Sequence, residues 1–192
     1  MSNSTRDKIV TTTAALLEKQ GYAATGLNQI VKESATPRGS LYYYFPEGKE
    51  ELAVEAVTHR MKEAAEFSRR FLRQIEDPIE AVYQMVLMMA KNMENAGCCG
   101  GAPIAAVALE ASNSSERLRQ ACADGYQQLQ DVLAAKLVLG GFTTEQASSL
   151  AVLINSSIEG AMILGRTNQN AAALRSVAGN LKQLMEVIKE SN

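Results

Sequence analysis

The sequence predicts an all-α fold. Residues that favour helix, chiefly alanine, leucine, methionine, glutamate, glutamine and lysine, dominate the 192 positions. No stretch sustains the alternation of β-branched residues that indicates a strand, and apolar positions recur instead at three- and four-residue spacing. Capping residues, glycines and prolines divide these amphipathic stretches into nine predicted helices.

Composition and charge indicate an ordinary globular chain, with 46% apolar and 21% charged residues. No run of about 18 uncharged apolar residues predicts a transmembrane helix. Charges within residues 1–20 exclude the apolar block of a signal peptide, so we expect a cytoplasmic protein. A formal charge of −2 argues weakly against nucleic-acid binding. However, no acidic residue lies between Ser34 and Pro46, so this segment can form a small electropositive patch.

The cysteines predict neither a disulfide framework nor a metal site. There are three, Cys98, Cys99 and Cys122, and two of them are adjacent. The single histidine, His59, is distant in sequence and no CxxC motif occurs, so we expect no zinc site and no other cofactor. The Cys98–Cys99 pair is either a plain loop segment or a thiol sensor. The absence of an adjacent cation that would lower a thiol pKa favours the plain loop.

Three short helices are predicted near the N-terminus. Gly21 ends the first helix, and Thr25 caps the second. A tight turn at 34–36 follows, with Thr36 as the next N-cap and Pro37 at the first helical position. Two short helices joined by such a turn are typical of a helix-turn-helix. The alternative is a plain helical hairpin that caps a bundle.

The third helix is the predicted DNA-reading helix. Leu41 and Phe45 lie four residues apart and both point to the core. On the open face, Arg38 can pair with guanine or phosphate, and the rings of Tyr42 and Tyr43 can contact thymine methyl groups. The predicted DNA-binding residues are Thr25, Thr36, Pro37, Arg38, Gly39, Ser40, Tyr42, Tyr43 and Lys49. Tyr44 is expected either to pack against the first helix or to contact phosphate.

Several motifs follow one another around this helix. They are Gly21-Tyr-Ala-Ala-Thr25, then Ile30, then Thr36-Pro-Arg-Gly-Ser-Leu-Tyr-Tyr-Tyr-Phe-Pro46, then Lys49-Glu-Glu-Leu52. In this order and spacing they closely resemble the TetR family of repressors. The Pro-Arg-Gly-Ser-Leu-Tyr form, with Gly48 before Lys49, resembles the subgroup of lincomycin-resistance and flavonoid-responsive repressors. The resemblance implies nine helices, a homodimer, a palindromic operator and release by an effector. Ala35 stands where the family often has glycine, at a cost of about 1 kcal/mol for a left-handed residue.

We expect residues 1–48 to form the helix-turn-helix domain and residues 49–192 to form an effector-binding and dimerisation domain. The fourth helix, from about residue 49, links the two. In the last helix, apolar residues spaced three and four apart predict a coiled-coil-like seam. Its members are Leu174, Val177, Leu181, Leu184 and Ile188, and the preceding helix offers Ile154, Ser157, Ile158, Ala161 and Gly165. Both helices are predicted to form a four-helix dimer interface, and the alternative is that both pack inside one chain.

The C-terminal part also predicts an apolar ligand pocket. Four methionines between Met85 and Met93 are either core residues or an adaptable binding surface. The predicted ligand-binding residues are Phe67, Phe71, Met89, Ile104, Val107, Tyr126, Asn155 and Glu159. Asn155 and Glu159, one helical turn apart, are expected either to anchor a polar group of the ligand or to face solvent.

The predicted function is that of a DNA-binding transcriptional regulator, a repressor released from a palindromic operator by a small apolar or aromatic effector. The expected partners are double-stranded operator DNA, the effector and a second copy of the chain. No nucleophile–base pair, metal-ligand cluster or phosphate-binding loop indicates an enzyme. The alternatives are a thiol-based sensor of electrophiles or oxidants on the same fold, and a helical small-molecule carrier that does not bind DNA.

Overall fold

The computed structural model describes residues 4–97, 104–111 and 115–190. Within these ranges the chain forms nine α-helices and no strand, which confirms the predicted fold class. The helices are α1 (Thr5–Ala24), α2 (Leu27–Glu33), α3 (Arg38–Tyr44), α4 (Lys49–Arg73), α5 (Pro78–Asn95), α6 (Ala105–Ala111), α7 (Glu116–Leu139), α8 (Thr144–Asn168) and α9 (Ala172–Glu190).

Several helices begin at side chains that satisfy free backbone N–H groups. The Ser4 hydroxyl accepts the N–H of Asp7 at 3.1 Å, and the Asp7 carboxylate accepts the N–H of Ser4 at 3.2 Å. At the start of α8, Thr143 and Gln146 form the same reciprocal pair. Such capping boxes satisfy two otherwise unpaired donors, and each cap contributes about 1 kcal/mol.

Two predicted N-caps lie one residue too early in the sequence. The N-cap of α2 is Gly26 rather than Thr25, whose hydroxyl binds a carbonyl at the end of α1 instead. The N-cap of α3 is Pro37 rather than Thr36. The Thr36 hydroxyl instead shares a 2.7 Å hydrogen bond with the hydroxyl of Ser34 within the turn, and α3 begins without a side-chain cap.

Gly21 interrupts α1 before the helix ends. Its backbone has φ +79° and ψ −178°, a region that is essentially restricted to glycine. Residues 5–20 therefore form the regular part of α1, and residues 22–24 add a separate turn beyond the break. The glycine stops the regular helix where the sequence predicted a stop.

The chain divides into two compact units. The first comprises Met1–Glu63 and Pro103–Gly125, and the second comprises Ala64–Ala102 and Tyr126–Asn192. Helices α4 and α7 contribute residues to both units. The first unit contains α1–α3 together with α6, so the predicted domain boundary at residue 48 falls inside it.

The core of the first unit joins α1, α2, α3 and the start of α4. Its buried members are Ile9, Val10, Leu16, Ile30, Leu41, Phe45 and Leu52, and Leu27, Val31 and Tyr44 pack against them half-buried. Complete burial of such side chains stabilises by about 1.5–3 kcal/mol each. This shared core fixes α3 against α1 and α2.

Helix α9 packs against α5 and α8 in the second unit. Leu174 is buried and Leu181 is only 4% exposed, and Ile154, Ile158 and Gly165 of α8 are buried as well. The predicted dimer seam is therefore wrong at these positions. Their apolar spacing reflects packing inside one chain, which was the stated alternative.

A second apolar surface on α8 and α9, which includes Leu184 of the predicted seam, remains open to solvent. It consists of Val152, Leu153, Ile163 and Leu164 on α8, with Leu184 and Val187 on α9. We call these six residues the outer apolar face. On α8, exposed Ser156 and Gly160 lie along the same side of the helix, and the space beside the Gly160 Cα is open.

Among the described helices, α8 is the one that is long and apolar enough to cross a membrane by length and composition. The same test is passed by a core helix of a water-soluble protein. In α8 the apolar residues divide between the side that packs inside the second unit and the outer apolar face. The high apolar content of α8 is therefore consistent with a water-soluble protein if another protein surface covers the outer apolar face.

Candidate nucleic-acid interface

Helix α3 is anchored by one side and presents the other to solvent. Leu41 and Phe45 are fully buried in the core of the first unit. Arg38 and Tyr42 are exposed, and Tyr43 is 79% exposed, which is rare for a large aromatic side chain. The buried pair holds the helix rigidly while the exposed residues stay free to bind.

Two of the exposed side chains already contact each other. The guanidinium carbon of Arg38 lies 5.9 Å from the centre of the Tyr42 ring, a cation–π arrangement across one helical turn. The rings of Tyr43 and Tyr44 meet edge to face at 5.0 Å. Tyr44 also packs on the core, so the structure favours the packing alternative for this residue. The Arg38–Tyr42 contact favours one relative arrangement of these two side chains, and such preorganisation lowers the entropy lost on binding.

The acidic residues that follow α3 have partners of their own. The Glu47 carboxylate pairs with the guanidinium of Arg117 at 2.5 Å, and the Ser115 hydroxyl donates to the Glu50 carboxylate. Among the described residues, no carboxylate forms an ion pair with Arg38. The face of α3 therefore carries an uncompensated positive charge, although residues 1–60 contain as many acidic as basic residues.

The turn between α2 and α3 adopts the expected strained geometry. Ala35 has φ +51°, the left-handed conformation predicted for this position. The residue pays about 1 kcal/mol for it, and the core contacts of α2 and α3 offset that cost. Gly39 and Pro37 are exposed and Ser40 is half-buried, so all three lie at the accessible N-terminal end of α3.

Three predicted DNA-binding residues have side-chain contacts within the protein, and two of them are buried. Thr25 is 1% exposed, and its hydroxyl donates to the Gly21 carbonyl at 2.6 Å. Thr36 is buried as well. The Lys49 ammonium lies 4.3 Å from the centre of the Tyr22 ring, and burial lowers its pKa. A side-chain contact of Thr25 or Thr36 with DNA would require a buried side chain to become exposed, whereas the half-buried Lys49 keeps further N–H donors for phosphate.

Comparison with known proteins identifies the family. Residues 9–56 match the family described as "Bacterial regulatory proteins, tetR family". Residues 78–180 match the one described as "Transcriptional regulator LmrA/YxaF-like, C-terminal domain". The chain belongs to the TetR family. It is a DNA-binding transcriptional regulator and not an enzyme, and its helix-turn-helix is α2 with α3.

Relatives of this TetR-family regulator match along almost the whole chain. It is 41% identical over 180 residues to the uncharacterized HTH-type transcriptional regulator YxaF of Bacillus subtilis, covering 94% of each chain. It is 34% identical to the HTH-type transcriptional regulator LmrA of the same organism, covering 94% of this chain and 96% of the relative. The crystal structure of regulatory protein TetR from Rhodobacter sphaeroides shares the fold, with a TM-score of 0.83, 17% identity and coverage of 93% and 97%.

The predicted ligand-binding residues of this TetR-family regulator divide between the two compact units. Ile104 and Val107 belong to the first unit and are buried there. The other six belong to the second unit, in which the Phe67 and Phe71 rings stack with centres 6.3 Å apart. The eight residues are therefore not assembled within one unit. Of the methionines, Met85 and Met93 are core residues, and Met89 is half-buried.

Helix α8 carries two polar side chains in shielded positions. Asn155 is buried, so the alternative that it faces solvent is wrong. Atom Oε2 of Glu159 is shielded from solvent and has no hydrogen-bond partner among the described residues. Burial raises the pKa of this carboxyl to about 7. An unsatisfied buried acceptor costs about 1–3 kcal/mol, which a bound donor would recover.

The cysteines give no reactive thiol within the described residues. Cys98 and Cys99 lie outside them, so the thiol-sensor alternative is not tested there. Burial raises the pKa of the Cys122 thiol to about 11, so this thiol remains protonated at neutral pH. A protonated, buried thiol is a poor nucleophile.

Proposed function

We propose that this TetR-family regulator is a cytoplasmic repressor that binds a palindromic operator as a homodimer and leaves it when a small apolar or aromatic effector binds. One observation supports the proposed DNA binding: Arg38, Tyr42 and Tyr43 are exposed on one face of α3. Leu41 and Phe45 on the opposite face are buried and anchor the helix. A rigid helix with an accessible cation and aromatic rings fits a major groove.

The outer apolar face supports the homodimer. Six large apolar side chains on two packed helices are open to solvent, and a second copy of the same surface would cover them. Gly160 and Ser156 would let two α8 helices approach closely. A two-fold dimer supplies two α3 helices, and a palindrome requires two reading helices about 34–36 Å apart.

Two features of the second unit support the proposal that it binds a small-molecule effector. It contains the stacked rings of Phe67 and Phe71, and it contains the shielded Oε2 of Glu159, which lacks a partner among the described residues. Apolar surface combined with a few directed polar groups is the usual composition of a small-molecule site. A hydrogen-bond donor on an otherwise apolar ligand would satisfy the Glu159 carboxyl.

The proposal is tested in two steps with the full chain. Duplexes are selected from a randomised pool, and we expect a palindrome whose half-sites lie about 10 base pairs apart or at a multiple of that spacing. Aromatic and apolar compounds are then screened for release of that duplex. Binding of any compound found is measured by calorimetry with and without the duplex, because coupling must be reciprocal. Selection of no duplex, or equal compound affinity in both titrations, would contradict the proposal.

Arg38→Ala and Tyr42→Ala are each expected to weaken binding of the selected duplex by about 1–3 kcal/mol, because both side chains lie on the open face of α3. The measurement is fluorescence anisotropy with the labelled duplex at fixed salt. Arg70→Ala, which removes an exposed arginine of α4 in the second unit, is the matched control and should leave the affinity unchanged. Wild-type affinity in both α3 variants, with folding intact, would remove this face from the interface.

A further inference from the structure

The junction between α1 and α2 is held by a residue from a distant part of the chain. Beyond the break at Gly21, the chain makes a further turn over residues 22–24 before Thr25. The N–H of Ala23 donates to Oε2 of Glu110 on α6 at 2.6 Å, across 87 residues of sequence. Glu110 is also the one charged residue of α6, which is otherwise apolar.

The same carboxylate occupies the space beside Gly21. A Cβ atom built on Gly21 would overlap Oε1 of Glu110. Glycine is thus required at this position for two reasons, because its φ of +79° is strained for other residues and because the carboxylate needs the space. Oε1 of Glu110 therefore fills the space beside Gly21, and Oε2 accepts the N–H of Ala23.

Lys49 contacts the carbonyl side of the same residue, Ala23. Its ammonium donates to the Ala23 carbonyl at 3.4 Å and lies over the Tyr22 ring. The charge of Glu110 partly opposes the lowering of the Lys49 pKa by burial, so the carboxylate favours the charged ammonium. Ala23 is consequently held at its N–H by α6 and at its C=O by α4.

We propose that Glu110 is a positioning residue for DNA reading, whose carboxylate fixes the α1–α2 junction and thereby the orientation of α2 and α3. Thr25, which follows directly, anchors back to Gly21, and α2 begins two residues later. A shift of the junction would therefore tilt the helix-turn-helix relative to the rest of its unit. Helix α6 packs on α1 in the same unit, so it acts as a structural part of the DNA-binding unit.

The test compares Glu110→Ala, Glu110→Gln and Glu116→Ala in the full chain. Glu116→Ala removes the same charge from the same unit, but its carboxylate pairs only with Arg119 of its own helix among the described contacts. Three quantities are measured: affinity for the duplex selected by the wild type, affinity for an unrelated duplex of equal length, and hydrogen exchange of the Ala23 amide.

Glu110→Ala is expected to lose about tenfold in affinity for the selected duplex, the equivalent of one charge-assisted hydrogen bond. Affinity for the unrelated duplex should stay unchanged, because contacts to phosphate need no exact helix orientation. The Ala23 amide should exchange faster. Glu110→Gln keeps an acceptor oxygen and should recover most of the loss, and Glu116→Ala should match the wild type.

The proposal is overturned if Glu110→Ala keeps the wild-type ratio of selected to unrelated affinity, or if both affinities fall together with the melting temperature. Equal losses in the Gln and Ala variants would also overturn it, because the acceptor would then be irrelevant. A wild-type chain that selects no duplex would contradict DNA reading itself. The Ala23 exchange rate would still show separately whether Glu110 holds the junction.

Discussion

Replacing Leu164 with aspartate is expected to yield folded monomers of this regulator. Leu164 is 54% exposed and belongs to the outer apolar face of α8, which we propose as the dimer interface. In a two-fold dimer each copy would then bury an unpaired carboxylate, at a cost of several kcal/mol. Sedimentation velocity should report the mass of one chain, and the helical far-UV spectrum should be retained.

Two control variants separate loss of the interface from loss of the fold. Leu139→Asp adds the same charge at a leucine of α7 that is 86% exposed and outside the outer apolar face, so it should remain dimeric. Leu181→Asp places the charge in the core of the second unit and should unfold the chain rather than yield folded monomers. An unaltered dimer in Leu164→Asp would count against the proposed interface.

Gly160→Leu tests the same surface, because it is expected to stabilise the chain and to weaken the dimer. The space beside Gly160 is open and the position is inside α8, so leucine should raise the stability of the isolated helix by about 0.8–1 kcal/mol. If two α8 helices approach each other there, the larger side chain should weaken the dimer. A more stable chain with a weaker dimer is therefore the expected result, and a gain in stability alone would place the contact elsewhere.

Loss of the dimer should also reduce operator affinity strongly. A monomer presents one α3 helix to one half-site, whereas a dimer binds the second half-site with an effective concentration set by its own geometry. Leu164→Asp should therefore bind the selected palindrome far more weakly than the wild type, and it should not discriminate between a palindrome and a single half-site. This pattern would distinguish loss of assembly from damage to α3.

Much of the helix-turn-helix could be predicted because its signals are local. The break at Gly21, the core positions Leu41 and Phe45, and the left-handed Ala35 each depend on neighbouring residues. The N-caps at Thr25 and Thr36 were wrong by one residue because both hydroxyls found competing carbonyl or hydroxyl partners in tight turns. Which partner each hydroxyl binds depends on the path of the folded backbone, so the sequence alone does not show it.

The failures elsewhere concern long-range partners. The spacing of Leu174 and Leu181 identifies an apolar stripe, but the same spacing serves an internal contact and an interface between chains. Periodicity alone therefore could not assign the dimer face. Likewise, nothing near Glu110 indicates a contact with Ala23, although a lone charge in an apolar helix marks a residue with a specific partner.

The second large effect is expected at Glu159 on α8, where burial raises the pKa of the carboxyl from its ordinary 4.5 to about 7. The unfolded chain releases this proton near its ordinary pKa, whereas the folded chain keeps it until about neutral pH. Between these values the folded state binds more protons, so its stability falls as pH rises through the window. Above about pH 7 the carboxyl is ionised in both states, and its burial then lowers the free energy of unfolding by the full amount, about 2–4 kcal/mol.

Glu159→Gln should remove this pH dependence, because glutamine has nearly the same shape and cannot ionise. Its free energy of unfolding should match the wild type near about pH 4 and exceed it by about 2–4 kcal/mol near about pH 8. Glu145→Gln, an exposed carboxylate in the first turn of the same helix, should change stability by less than about 1 kcal/mol. Urea denaturation at both pH values measures all three proteins. Parallel pH profiles for wild type and Glu159→Gln would show that the carboxyl is solvated, and it would then offer a ligand no unsatisfied acceptor.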